Sequence, residues 1–401
     1  MSKFVKLSSI AELTVGFVGT MAKHYEDEGI PFLRSLNIKP FKIISDDMKY
    51  VSAEFSNSLS KSILHKGDVV IVRTGIPGTC CVVPAEYDGC NCSDVVIVHP
   101  NTELVNPHYL AAYINFWGQR QIQNNKVGAI QQHFNVHSAE EMLIFLPDIT
   151  EQEKIAKTIV ALNGKIENNF SVCVELEAMA KTLYDYWFTQ FDFPDENGKP
   201  YCSSGGEMVW NDQLKREIPK GWQVSSIGSV TRNYDSKRVP LSQNERDIMK
   251  GGIPYYGATG IMDYVNRHIF DGQYVLIAED GSVMDVKGNP IVQMIWGKTW
   301  VNNHAHVLQG CNGYSNELLY LLLQHIPVVK IMTGSIQKKI NQDNLNSYKI
   351  PQIPDPISQA FYEIVKPMFE KIQSLQDEND ELTKLRDWLL PVLVNGQATV
   401  E

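Results

Sequence analysis

The chain has 401 residues, 43% of them hydrophobic, seven cysteines and a formal net charge of −10. This length exceeds one compact core and the composition is that of a folded chain, so we expect at least two domains and exclude a disordered protein. No apolar run is long enough for a membrane span, no export signal opens the chain, and the cysteines lack zinc-binding spacing, so we expect a cytoplasmic protein without a metal site.

The first 147 residues predict a mixed globule. Short runs of valine and isoleucine bounded by Gly, Pro, Asn and Asp, such as "GDVVIVRTGIPG" and "SDVVIVHPN", predict strands and turns. A helix is predicted at "NPHYLAAYINFWGQRQ". The mixture favours an α+β domain with a mostly antiparallel sheet over residues 1–147.

A long helix is predicted over residues 148–190. Apolar residues recur there at alternating spacings of three and four, which is the pattern of a helix that pairs with another helix. The predicted seam and partner-docking positions of this helix are Ile159, Leu162, Ile166, Asn169, Leu176, Leu183 and Trp187.

The remaining chain repeats this order. Residues 191–352 predict a connector and a second globule, with strands at "GQYVLIAEDG" and "NPIVQMIWG" and a helix at "NELLYLLLQHI". Residues 353–401 predict a second long helix and a C-terminal tail. The seam positions of this second helix are Ile372, Leu375, Asn379, Leu382 and Leu389.

The two halves are related by an internal duplication. The octet "GAIQQHFN" (128–135) corresponds to "GSIQKKIN" (334–341), and "GIPFLRSLNI" (29–38) corresponds to "GIPYYGATGI" (252–261). "SSIAEL" (8–13) likewise corresponds to "SSIGSV" (225–230), and the order is preserved throughout. The period is too long for a solenoid.

The matched heptads favour pairing between the two long helices over packing of each on its own domain. The predicted fold is therefore α+β: two similar globules separated by two long helices that pair as an antiparallel coiled coil, with a pseudo-two-fold duplication. Asn169 and Asn379 sit at seam positions where a polar residue fixes register. Helices of this length run roughly 50 to 60 Å.

The order of globule, helix, globule, helix resembles the specificity (S) subunits of type I restriction-modification systems. The resemblance covers almost the whole chain and includes the two octets, "FLPDITEQEKIA" before the first helix and "EIPKGWQVSSIGSV" (217–230) before the second globule. It departs at "PDPISQAFYEIV", where the second helix lacks a pair like Glu151 and Gln152.

The resemblance implies a DNA-binding subunit without catalytic activity. Each globule would be a target recognition domain for one half of a split site on double-stranded DNA, and the helices would set the spacer and dock two methyltransferase (M) subunits. The complete complex, with its restriction (R) subunits, would methylate adenine at N6 and cleave DNA. S-adenosylmethionine, ATP and Mg2+ would then be bound by the partner subunits, and this chain would bind no cofactor.

Charge does not exclude a DNA partner. Residues 1–147 carry a net charge of −2 and residues 221–354 a net charge of +2, so the acidity lies outside both globules. The variable positions of the octets are the first candidates for DNA contacts, and the alternative is that they are solvated loop residues. These positions are Gln131, Gln132, His133, Gln337, Lys338 and Lys339.

A second set of candidates consists of polar or basic residues elsewhere in the globules. For each of them, a surface position without a role is an equal alternative. The first globule contributes Arg34, Lys39, Lys42, Arg73 and Thr74, and the second contributes Arg232, Lys237, Arg238, Arg246, Lys250 and Tyr256.

No catalytic motif emerges from the sequence. The [DN]-P-P-[FYW] motif of amino-methyltransferases is absent, and the histidines have no metal-binding spacing. Asp148 and Glu153 lie at a predicted helix start, where acids favour the helix dipole. Two alternatives remain open: an autonomous DNA methyltransferase or nuclease with an unrecognised site, and a coiled-coil scaffold that binds only protein.

Overall fold

The computed structural model describes residues 3–118, 121, 134–285, 287–334 and 338–394. The chain divides into two compact units. Unit 1 consists of Met1–Asn169 and Glu378–Glu401, and unit 2 consists of Phe170–Asp377. Each unit therefore contains one globule and a part of both long helices. Within the described ranges, no helix combines the length and the apolar character needed to cross a bilayer.

The globule of unit 1 consists of short strands and helices. Its strands are Lys3–Lys6 (β1), Ala11–Val15 (β2), Ile30–Leu33 (β3), Ile38–Lys39 (β4), Lys42–Ile43 (β5), Lys49–Val51 (β6), Val69–Val72 (β7), Cys80–Val82 (β8), Asn91–Cys92 (β9), Val95–Pro100 (β10) and Leu143–Leu146 (β11). Its helices are Ala53–Ser58 (α1), Pro107–Tyr113 (α2) and Val136–Glu140 (α3), and α2 continues as a π-helical turn, Ile114–Gly118.

The central sheet of unit 1 has the strand order β2-β10-β7-β8 and is antiparallel throughout. Its strands β7 and β10 are almost entirely buried, which explains their continuous valine and isoleucine runs. A second sheet has the order β6-β3-β9, with β3 and β9 parallel. The first and last strands of the globule, β1 and β11, pair antiparallel.

Unit 2 contains the corresponding elements and a connector hairpin. Its strands are Met208–Asn211 (β12), Arg216–Pro219 (β13), Gln223–Ser226 (β14), Thr231–Asn233 (β15), Lys250–Tyr256 (β16), Ile261–Val265 (β17), Phe270–Asp271 (β18), Tyr274–Ala278 (β19), Val292–Ile295 (β20), Lys298–Val301 (β21), Ala305–Gly310 (β22), Met332–Thr333 (β23), Lys339–Ile340 (β24) and Lys349–Gln352 (β25). The first long helix is Ile149–Tyr184 (α4), which begins in unit 1 and ends in unit 2. A π-helical turn, Asp185–Thr189, follows it. The remaining helices are Ile227–Val230 (α5), Gln243–Ile248 (α6), Asn316–Gln324 (α7), Gln342–Ser347 (α8) and Asp355–Val394 (α9).

The sheets of unit 2 repeat those of unit 1. The central sheet has the order β15-β22-β19-β20, and β14 pairs with β25 as β1 pairs with β11. The second sheet has the order β17-β16-β21-β18, and β16 is parallel to β21 as β3 is to β9. The repeated "GIP" phrase lies within β16, and in unit 1 it begins with Gly29 directly before β3. The duplication predicted from the sequence is therefore present in the topology.

The long helices pair antiparallel within each unit. In unit 1, Ile159 packs in the same core as Leu390 and Leu393, and the Asn169 amide donates to Asn379 Oδ1 at 3.0 Å. The Asn379 amide in turn donates to the backbone oxygen of Ile166 at 3.2 Å. The two asparagines predicted to fix register therefore contact each other directly.

In unit 2, Cys173 Sγ lies 3.8 Å from the backbone oxygen of Ile372, and the Tyr184 and Phe361 rings meet edge to face. Every predicted seam position is buried or half-buried. They are Ile159, Leu162, Ile166, Asn169, Leu176, Leu183, Trp187, Ile372, Leu375, Asn379, Leu382 and Leu389.

Both long helices are attached at their starts to the globule that precedes them. Asp148 Oδ1 accepts the Glu151 N–H, and the buried Gln152 side chain bonds to the backbone of Asn106, Leu104 and Pro147. In unit 2, Ser358 occupies the position of Gln152 and donates to the Gly313 carbonyl. The second helix lacks the expected Glu-Gln pair. The short Ser358 side chain therefore makes the hydrogen bond to the globule that the longer Gln152 side chain makes in unit 1.

Candidate nucleic-acid interface

The octets end in the same local structure in both units. Asn135 caps α3 by accepting the Ser138 N–H at 2.8 Å, and Asn341 caps α8 by accepting the Asn344 N–H at 2.8 Å. In unit 2, Gly334 opens the octet with a φ of 84°, in the left-handed region that favours glycine. These repeated residues are the scaffold of the segment.

In each unit, one backbone hydrogen bond attaches the octet to the residue that follows a strand of the central sheet, and a second bond joins that residue to the neighbouring strand's start. In unit 1, Arg73 directly follows β7, donates to the Asp94 carbonyl and accepts the Phe134 N–H at 3.3 Å. In unit 2, Glu279 directly follows β19, donates to the His304 carbonyl and accepts the Ile340 N–H at 2.8 Å. Phe134 and Ile340 occupy the same octet position, so the repeat in the sequence corresponds to a repeat in hydrogen bonding.

Two of the predicted contact residues of unit 1, Arg73 and Thr74, follow strand β7. Arg73 is beside the octet, and its Nε donates to the Phe134 carbonyl at 3.2 Å. Thr74 is next to it, with Oγ1 at 3.5 Å from Ser35 Oγ. Lys39 is exposed on β4.

Arg34 is ion-paired in unit 1. Its Nη2 lies 2.8 Å from Asp47 Oδ2, and hydrogen bonds from Lys49 and Arg34 lower the pKa of Asp47 to about 2. Lys42 forms a 2.7 Å ion pair with Glu167 on α4. These two cations therefore have carboxylate partners that a phosphate would have to displace.

In unit 2, Lys338 is half-buried and Lys339 is exposed at the start of β24, with its Nζ 3.5 Å from Asp280 Oδ2. Arg232 is exposed on β15. Lys237 is exposed in the turn that follows, with its Nζ 5.2 Å from the Tyr234 ring centroid. The turn that carries Lys237 bonds to Val307 on β22, and the segment that carries Lys338 and Lys339 bonds through Ile340 to Glu279, the residue after the adjacent strand β19.

Arg238 has internal partners instead. Its side chain is 12% exposed, and its guanidinium bonds to Glu279 at 2.7 Å, to Asp235 at 3.3 Å and to the Ala305 carbonyl at 2.8 Å. This placement favours a structural role over the predicted DNA contact, because burial removes the guanidinium from groove edges and phosphates.

Three more candidates of unit 2 lie in the β16–β17 region. Arg246 and Lys250 both form ion pairs with Asp263, at 3.1 and 2.7 Å. Tyr256 is half-buried against the cluster around Phe270. Gln131, Gln132, His133 and Gln337 lie outside the described residues.

The sequence analysis did not identify His306 and Asp235, which form a buried polar group beside the octet of unit 2. His306 on β22 is 2% exposed; its Nδ1 lies 2.5 Å from Asp235 Oδ2 and its Nε2 lies 2.8 Å from the Ile340 carbonyl. Burial alone would lower the pKa of His306, but the hydrogen bond and charge of Asp235 raise it overall. Burial likewise opposes ionisation of Asp235, yet its bonds to His306 and Val307 lower its pKa.

Asp235, Glu279 and His306 also bring together three atoms of the kind that bind metals, within 4.8 Å of one another. The Arg238 guanidinium already bonds to both carboxylates. A guanidinium thus already occupies the place of a cation between the two carboxylates, and the donor set does not fit a metal ion in addition. A lone histidine inside an apolar strand gave no signal for this cluster in the sequence.

The structure and sequence match a known family. A family model for the type I restriction modification DNA specificity domain matches residues 2–177 and 219–384. These two segments cover most of the chain, one in each half. The chain therefore belongs to the family of type I restriction-modification DNA specificity domains.

Individual relatives agree with this assignment. The MjaIX specificity subunit of a type I restriction enzyme from Methanocaldococcus jannaschii is 29% identical over 280 residues, which are 65% of this chain and 62% of the relative. A putative specificity subunit from Haemophilus influenzae is 34% identical over 152 residues, 37% of each chain. Both matches span less than two thirds of the relative. The HindI specificity subunit from Haemophilus influenzae is 22% identical over 87% of this chain and 91% of its own length.

The fold is also known from a crystal structure. The S subunit of a type I restriction-modification system from M. genitalium superposes with a TM-score of 0.55 at 16% identity, covering 98% of this chain and 96% of that one. At this identity the likeness establishes the fold alone.

Proposed function

We propose that this chain is the non-catalytic DNA-recognition subunit of a type I restriction-modification complex. Each unit reads one half of a bipartite, gapped site on double-stranded DNA. The observation that carries the proposal is the repeated backbone hydrogen bonding at the octets, which we call the octet frame. The N–H groups of Phe134 and Ile340 make equivalent bonds, but the residue whose carbonyl accepts the bond is Arg73 in one unit and Glu279 in the other. Two readers of different half-sites need a common frame and different side chains.

The basic residues near the frame support a DNA partner. Lys237 and Lys339 are exposed in unit 2. Arg73 lies beside the octet in unit 1. Basic side chains on backbone-positioned loops are suited to phosphate contacts, which fix the register of a protein on a duplex.

The long helices supply the proposed docking surface for partner subunits. Besides the buried seam, α4 and α9 carry large exposed apolar side chains: Val160 and Trp388 in unit 1, and Phe170 and Val174 in unit 2. Exposed apolar residues grouped on helices mark protein interaction surfaces. Two methyltransferase subunits and the restriction subunits are the proposed partners, and S-adenosylmethionine, ATP and Mg2+ belong to them.

The same helices are proposed to fix the spacer between the half-sites. Helix α4 has 36 residues and α9 has 40, and a rigid helical pair holds a spacing that a flexible linker does not. The complex would act in the cytoplasm, where its DNA is found.

The test is to map N6-methyladenine across the host genome with and without this gene. Loss of one bipartite, gapped motif on deletion supports the proposal and identifies both half-sites and the spacer. Reintroducing the wild-type gene should restore the motif. A gene carrying Arg232→Ala, Lys338→Ala and Lys339→Ala, all in unit 2, should restore it with relaxed specificity at one half-site only.

Two other outcomes would favour the alternatives. If no motif changes and the chain still co-purifies with other proteins, the protein-only scaffold is favoured. If the purified chain alone methylates or cleaves DNA, it is an autonomous enzyme.

A further inference from the structure

In both units, a basic side chain holds the carbonyl of the residue that precedes the capping asparagine. In unit 1 the donor is Arg73 Nε, 3.2 Å from the Phe134 oxygen. In unit 2 the donor is His306 Nε2, 2.8 Å from the Ile340 oxygen. The two donors come from different places, because Arg73 follows β7 whereas the matching position in unit 2 is Glu279, which has no side-chain donor.

The contacts of His306 require a doubly protonated ring. Nε2 faces a carbonyl oxygen, which only accepts a hydrogen bond. Nδ1 faces Asp235 Oδ2 at 2.5 Å, and the other oxygen of Asp235 accepts the Val307 N–H at 2.8 Å. With an ionised Asp235 on one side and a carbonyl on the other, both ring nitrogens must donate.

Charged groups surround His306 from three directions. Asp235 and Arg238 come from the turn after β15, with Arg238 Nη2 3.3 Å from Asp235. Glu279, from the end of β19, lies 3.6 Å from His306 Nδ1 and 2.7 Å from Arg238.

From the octet side, Lys339 faces Asp280 at 3.5 Å, and Asp280 also holds His304 at 2.5 Å. Two carboxylates thus face one guanidinium and one imidazole in the buried group, which is neutral in charge only when His306 is protonated. The raised pKa of His306 agrees with this balance.

Loss of the His306 proton removes a donor from one of its two acceptors. The stabilisation that the His306 imidazolium gives to the folded unit is fully present below 6.5, the ordinary pKa of histidine. It is lost as the pH rises through the raised pKa of His306 in the folded protein. The donor in unit 1 is a guanidinium, a type of group that does not lose its proton in this pH range. His99, whose pKa is also raised, lies at the far end of β10 from Asp94 and Arg73.

We propose that His306 is a positioning residue for DNA recognition by unit 2: as an imidazolium it holds Ile340, and with it the neighbouring Lys338 and Lys339, in the geometry that reads DNA. In unit 1, the corresponding donor to the Phe134 carbonyl is the Arg73 guanidinium. This inference rests on the proposed function. Its consequence is that the two half-sites respond differently to pH.

The experiment uses the full chain in complex with its methyltransferase subunits and three duplexes: the site found by methylation mapping, and two duplexes altered in one half-site each. Binding is measured from pH 6 to 9 at constant ionic strength. Discrimination at one half-site should fall about tenfold across this range, as expected for loss of one charge-assisted hydrogen bond, and discrimination at the other should stay flat.

Three variants assign these effects. His306→Gln should abolish the pH dependence and leave discrimination low at the same half-site. His268→Gln, at an exposed histidine of the same unit, should keep the wild-type profile. Arg73→Gln should lower discrimination at the other half-site equally at every pH.

A second readout does not depend on DNA. Hydrogen exchange of peptides that contain Ile340 reports the N–H bond to Glu279, and after correction for intrinsic exchange the wild type should be more protected at pH 6 than at pH 8.5. His306→Gln should remove this difference.

The outcomes separate the two proposals. A wild-type pH profile in His306→Gln overturns the positioning role, as does equal pH dependence at both half-sites. A parallel loss at both half-sites, matched by a fall in the folded fraction, also overturns it in favour of a purely structural role. If no duplex is bound with sequence preference at any pH, while hydrogen exchange shows the expected difference, the proposed function fails and the His306 bond to Ile340 stands.

Discussion

Replacing Arg238 with alanine tests whether this residue supports the fold of unit 2 or contacts DNA. The side chains of Arg238, Asp235 and Glu279 are 12%, 10% and 26% exposed, so the substitution leaves two poorly solvated carboxylates without their guanidinium. It also removes the donor to the Ala305 carbonyl. Breaking a buried ion pair typically costs about 3 to 5 kcal/mol.

Two features of the site place the cost near the lower limit. His306 still faces Asp235 at 2.5 Å, and Glu279 is partly solvated. We therefore expect a loss of about 3 kcal/mol in the free energy of unfolding of unit 2. With a urea dependence of about 2 kcal/mol per molar, the midpoint should fall by about 1.5 M.

Tryptophan fluorescence can follow unit 2 alone. Replacing Trp117 and Trp388 with phenylalanine leaves only the five tryptophans of unit 2. Arg232→Ala is the matched control, because Arg232 is exposed on the neighbouring strand β15 and its loss should change stability by less than about 0.5 kcal/mol. A midpoint for Arg238→Ala within 0.5 M or so of the wild type would refute this reasoning, since it would mean that the carboxylates need no compensation.

The remaining predictions concern the helix seam and the DNA contacts. Asn169→Leu leaves the side-chain oxygen of Asn379 without its donor and should cost about 1 to 2 kcal/mol, whereas adding Asn379→Leu should recover most of that loss; equal urea midpoints for the single and double variants would contradict this. Ile372→Ala should cost about 2 to 5 kcal/mol in thermal or urea unfolding because Ile372 is fully buried, and Ile364→Ala, on the exposed side of the same helix, should cost far less. Lys339→Ala should lower discrimination at the half-site that unit 2 reads and leave the other half-site unchanged; equal weakening of binding to cognate and altered duplexes, with a salt dependence reduced by about one ion, would instead identify Lys339 as a phosphate contact.

Much of the architecture was predictable because it depends on residue patterns within single segments of the chain. The alternating three and four spacing of α4 and α9 predicts their buried faces, and every predicted seam position is buried or half-buried. The asparagines that end the octets are helix caps, a role that depends only on the next few residues. The family assignment followed from the order of these patterns.

The tertiary structure decided which side chains surround the ends of the two octets. The sequence offered Arg238 as a DNA contact, but the fold buries it against Glu279, 41 residues away. His306 gave no signal, because its role depends on Asp235, which lies 71 residues earlier in the chain. In unit 1, the donor to the Phe134 carbonyl comes from Arg73, 61 residues before it.

The sequence by itself therefore determined the duplication, through matching phrases in the two halves, and the long paired helices, through apolar spacing within each segment. Only the tertiary structure decided which cation holds each octet and which basic residues stay exposed. The physical reason is that burial and charge compensation depend on segments that meet in space, and neither periodicity nor composition records which distant side chains will meet.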